Sequence, residues 1–126
     1  MTTTPLLPNF IAGRWQDGTG HGSTLLDPVL GTPLVRVSSA GLDLAEGFAF
    51  AREQGGAALR ALTYTQRATL LGEIAKVLQT NREAYYEIAT ANCGTTTKDS
   101  AVDIDGGIFT LGYYAKQGEA LGGPNG

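Results

Sequence analysis

The chain has 126 residues, room for one compact domain, with 42% apolar and 17% charged positions and 18 glycines. Nine Lys and Arg against twelve Asp and Glu give a formal charge of −3, without the basic excess that a phosphate backbone demands, so no nucleic-acid partner is expected. The apolar fraction is too high for a wholly disordered chain. One cysteine, Cys93, and one histidine, His21, exclude an internal disulfide, a multi-cysteine metal site and a His-pair site.

No run of 18 apolar residues occurs, so no membrane-spanning helix is expected. The N-terminus has no basic region and only two adjacent leucines, Leu6 and Leu7, which is no secretory signal and points to a reducing, cytoplasmic location. Residues 1–8, with three threonines and two prolines, read as a loose leader. Asn9-Phe10-Ile11-Ala12-Gly13-Arg14-Trp15 reads as two strand pieces about a turn at Ala12-Gly13. Thr24-Leu25-Leu26 and Leu34-Val35-Arg36-Val37 are strand-like, and Asp27-Pro28-Val29-Leu30-Gly31-Thr32-Pro33 forces a turn between them. Residues 9–38 are thus expected to form an antiparallel β meander.

From residue 39 the apolar spacing becomes helical. Ser39 reads as the cap of a helix to about residue 54, ended by Gly55-Gly56, with a short piece over 57–62 after it. Thr63-Tyr64-Thr65-Gln66 fits a capping box, and Arg67, Leu71, Ile74, Ala75 and Leu78 line one face of the helix behind it. Asn81 reads as the next cap, and Gly94 as the residue that ends that helix. A fourth helix is expected from about residue 98 to 121. Gly106-Gly107 within it costs roughly 2 kcal/mol of helix propensity against two alanines, so either helices pack very closely there or the helix is interrupted.

The order is a meander, then four helices over 39–121, then a tail at 122–126. A doubly wound α/β nucleotide fold alternates strands and helices, whereas here the helices come in a run, α+β within this stretch. Such a set of elements does not close a satisfactory core, and it looks like the beginning of something larger.

Local motifs point to little chemistry. Gly18-Thr19-Gly20-His21-Gly22 superficially resembles a phosphate-cradling loop, but a strand follows it instead of a helix, so a hairpin loop with a solvated His21 is expected. Cys93 falls at the C-terminal end of a helix, where the dipole opposes a thiolate, and a structural thiol is expected. Asp103 and Asp105, two apart, lie on different sides of a helix and make no dyad by themselves; Asp103 is expected to cap or join a hydrogen-bond network, and it also has oxygens to offer a hard cation. Tyr85-Tyr86 and Tyr113-Tyr114 are suited to packing at an interface. No nucleophile, base and oxyanion site assemble from these residues.

Several stretches taken together resemble the aldehyde dehydrogenase family. Asn9 to Trp15 followed by Leu26-Asp27-Pro28-Val29-Leu30-Gly31 looks like the family's opening strand pair and its Asn-Pro-x-x-Gly-like turn. Thr65-Gln66-Arg67-Ala68-Thr69-Leu70-Leu71 is similar to its second helix with the Arg-Ala-x-Leu-Leu pattern, and Ala91 to Thr96 occupies the place of its Glu-Thr-Gly-Lys-Pro turn. Asp103 through Tyr113-Tyr114-Ala115 matches its Asp-to-Tyr-Tyr-Ala-Gly helix in spacing. Within the family, Gly41 to Ala45, Gly56 to Tyr64 and Ser100 to Leu111 resemble a branch that oxidises CoA-linked semialdehydes in aromatic-compound degradation.

The resemblance implies the N-terminal part of a truncated aldehyde dehydrogenase-like fold: oligomerisation strands over 9–38 and helices that flank the cofactor domain. It implies NAD(P) for the intact enzyme, a thiohemiacetal on a downstream cysteine, hydride transfer and hydrolysis of the resulting thioester. Cysteine nucleophile, base, oxyanion group and nucleotide loop all fall beyond the matched region. No catalytic or cofactor-binding residue is therefore assigned in this chain, and no NAD(P) is expected to bind it alone. The implied partners are the rest of the dehydrogenase chain and, for the intact enzyme, further copies of itself. Asp103 aligns with an acidic position that helps hold a structural monovalent cation in several members, where Leu25 would offer only its carbonyl. The tail at 122–126 departs from the branch pattern. The competing expectation is a non-enzymatic helical interaction module or a decayed gene fragment.

Overall fold

The structure, a computed structural model, describes residues 4–122. The chain divides into two compact units, one made of Met1–Ala57 with Ala91–Gly94 and the other of Ala58–Thr90 with Thr95–Gly126.

The first unit holds the strands. β1 (Asn9–Ile11) and β2 (Arg14–Gln16) pair antiparallel, with Phe10 opposite Trp15 and their rings edge to face at 5.2 Å. The turn between them is of the mirror-image kind that suits strand twist: both central residues have positive φ, 50° at Ala12 and 76° at Gly13. β3 (Ser23–Leu26) and β4 (Pro33–Val37) form a second antiparallel pair, with a register shift between Leu25 and Leu26. The Asp27 carboxylate accepts from the backbone N–H of Val29 and Leu30, which closes the connecting turn.

The single meander expected over 9–38 is therefore two separate two-stranded sheets. The segment between β2 and β3 is held by isolated bonds rather than by a ladder: Thr19 N–H donates to the Ala40 carbonyl, and the Ser38 hydroxyl donates to that of Thr19. The stretch read as a loose leader is paired from Thr4 onward. Leu7 N–H donates to the Arg36 carbonyl, Arg36 N–H donates to that of Pro5, and the Arg36 Nε donates to that of Thr4. Residues 1–3 lie outside the described residues.

Helix α1 (Leu44–Phe50) starts four residues later than expected, because Asp43 and not Ser39 caps it. The Asp43 carboxylate accepts from Glu46 N–H at 2.9 Å, while Ser38 turns its hydroxyl to Ala40 N–H. Gly55-Gly56 does not end the helix. A π-helical segment (Ala51–Gly55) runs directly into α2 (Gly56–Ala61), and Gly56 keeps ordinary helical angles, φ −63° and ψ −40°. A glycine stops a helix only where it turns left-handed.

The second unit is dominated by two long antiparallel helices, α3 (Tyr64–Cys93) and α4 (Thr97–Gly122). The capping box at the start of α3 is complete: Gln66 N–H donates to the Thr63 hydroxyl, and Thr63 N–H donates to the Gln66 side-chain oxygen. Asn81 does not break the helix. Its amide donates instead to the Val77 carbonyl one turn back, and residues on both sides of it touch α4. Gly94 ends α3 with φ +68°, and a Cβ there would meet Pro28 and Val29 at 3.2 Å. Thr96 caps α4 by accepting from Asp99 N–H.

Three continuous helical rods thus replace the four expected, because tertiary contact carries α3 across a weak local stop. Gly106-Gly107 matches neither alternative offered for it. α4 runs unbroken through the pair, and nothing lies within 4 Å of where a Cβ would stand at either glycine. Of the tail, Gly122 belongs to α4 and 123–126 fall outside the described residues.

Buried side chains among the described residues are few: Ala68, Tyr86, Ile108, Ala115 and Ser100. Two stability effects are expected. Thr63→Ala removes one half of the capping box and lowers unfolding free energy by about 1 kcal/mol in urea titrations. Gly106→Ala raises that of this chain by roughly the same amount, since the new methyl meets no neighbour and the helix loses a glycine.

Candidate functional site

The polar groups of the α3–α4 pair gather at two levels. At the first, the buried Tyr86 hydroxyl donates to Asp105 Oδ1 at 2.6 Å. Arg82, one turn before Tyr86, brings its guanidinium to 3.7 Å from Asp105 Oδ2 and to the same distance from Glu83. The Asp105 carboxylate, accepting the phenolic proton, holds the Tyr86 pKa above its ordinary 10.0; desolvation adds to the shift and the Arg82 charge opposes it. At the second level, the fully buried Ser100 hydroxyl lies 2.7 Å from the Thr95 hydroxyl and 3.2 Å from that of Thr90. Each polar group at these levels has a partner, so both are structural locks.

Asp103 sits apart from them. It is exposed on α4, and no hydrogen bond or ion pair ties its carboxylate to another described residue. Leu25 lies on β3 in the other unit, opposite Val35. Among the described residues no group of three or more His, Cys, Asp or Glu is arranged to hold a metal ion. Cys93 is exposed at the end of α3.

The glycine loop serves its own fold. A Cβ on Gly18 would overlap the Ser38 carbonyl, and one on Gly22 the carbonyl of Val37, so these glycines let the loop lie against the end of β4. His21 is exposed, with its carbonyl accepting from Arg36 Nη1 at 3.2 Å.

Arg67, the arginine of the Arg-Ala-x-Leu-Leu stretch, holds its guanidinium 5.8 Å from the centre of the Tyr64 ring, and its buried Nε finds no partner among the described residues. The Tyr86–Asp105 pairing escaped the sequence reading, which treated Asp105 only in relation to Asp103. The signal lay in the antiparallel fold-back at Gly94, which sets position 86 against 105 and 90 against 100.

An N-terminal strand pair, an Asp-Pro-x-x-Gly turn and a long helical hairpin follow one another along the chain. The aldehyde dehydrogenase family model matches residues 15–125, and the chain belongs to that family. The match runs into the tail, which the branch pattern alone had set aside. Over 116 residues, 92% of this chain, it is 51% identical to the 3,4-dehydroadipyl-CoA semialdehyde dehydrogenase of Aromatoleum evansii. Those residues make up 22% of that enzyme, so the chain spans about a fifth of the relative's length. No helix among the described residues is long and apolar enough to cross a membrane.

Tyr86→Phe is expected to lower the denaturant midpoint, because Asp105 loses its buried donor. The pH dependence has a definite sign. A pKa raised on folding stabilises fully below the unfolded value near 10 and is lost as pH rises through the folded value. Wild type therefore loses stability above pH 10 more steeply than Tyr86→Phe, which alkaline denaturation monitored by circular dichroism checks.

Proposed function

We propose that this chain is the N-terminal segment of an NAD(P)-dependent dehydrogenase that oxidises a CoA-linked semialdehyde to its acid during the breakdown of aromatic compounds, in the cytoplasm. The observation that carries this reading is the 51% identity over 92% of the chain to an enzyme named for a CoA semialdehyde. NAD(P)⁺ supplies the hydride acceptor when bound, and no residue of this chain is assigned to it.

The role of these residues is to build a platform. The two hairpins present Phe10, Trp15, Leu26, Val29 and Leu30 to the outside, an apolar surface suited to assembly with further copies of the enzyme. The α3–α4 pair supplies a rigid rod fixed by Tyr86–Asp105 and by the Ser100 hydroxyl cluster. Asp103 contributes a carboxylate to a structural monovalent cation whose other oxygens come from elsewhere in the intact enzyme. The exposed and unengaged carboxylate of Asp103 suits that role.

The test is a hybrid in which this chain replaces the matching segment of the Aromatoleum evansii relative. It is expected to reduce NAD(P)⁺ with CoA-linked semialdehyde and to prefer it to the free semialdehyde, while the 126-residue chain alone gives no turnover. A folded hybrid with no activity, or turnover by the chain alone, contradicts the reading. In the same hybrid, Asp103→Ala should abolish potassium-dependent thermal stabilisation; stabilisation that persists removes Asp103 from the cation site.

A further inference from the structure

We draw no further inference here: the strongest candidate, the apolar groove of about 460 Å³ between the β1–β2 hairpin and α1, lined by Phe10, Ile11, Leu44, Phe48 and Phe50, carries nothing because nothing in the structure shows what covers it.

Discussion

The close approach of α3 and α4 is the constraint on which the second unit depends. A Cβ at Gly118 would stand 3.0 Å from the Ala68 methyl, and one at Gly122 would overlap the Thr65 hydroxyl, so the helices meet through their smallest residues at that end. At the other end, Ser100 beneath Thr90 and Thr95 allows the same closeness while satisfying its own hydroxyl. Between them the Tyr86–Asp105 bond sets the register: a shift of α4 by one residue would leave a buried phenol without its acceptor. Small residues permit the contact, and polar ones choose its alignment.

That contact buries little. Large apolar side chains from Phe10 to Leu121 remain exposed, and only Ala68, Tyr86, Ile108 and Ala115 form the apolar core among the described residues. An imbalance of this kind marks surface that is covered in a larger assembly. The chain spans about a fifth of the length of the relative it matches.

What was legible in the residues was local chemistry. Thr63 and Gln66 spell a capping box, Ala12-Gly13 a tight turn and Gly94 a helix end, because each depends on groups within a few positions of itself. The family resemblance was legible too, from the order of such stretches along the chain. Asn81 and Gly55-Gly56 misled for different reasons. Gly56 keeps right-handed helical angles and so does not stop the helix, while contacts to α4 on both sides of Asn81 outweigh its weak local stop.

Composition and spacing by themselves determined the element types, the low charge, the lack of a cysteine or histidine framework and the excess of apolar faces over the mass available to cover them. Only the tertiary structure decided that 44–61 is one rod, that the strands form two separate pairs, and that Asp105 belongs to Tyr86 and not to Asp103. The division has a physical cause. Caps, turns and amphipathic stripes arise from neighbours along the chain, whereas register and burial arise from partners that meet only when α3 and α4 fold back on one another at Gly94.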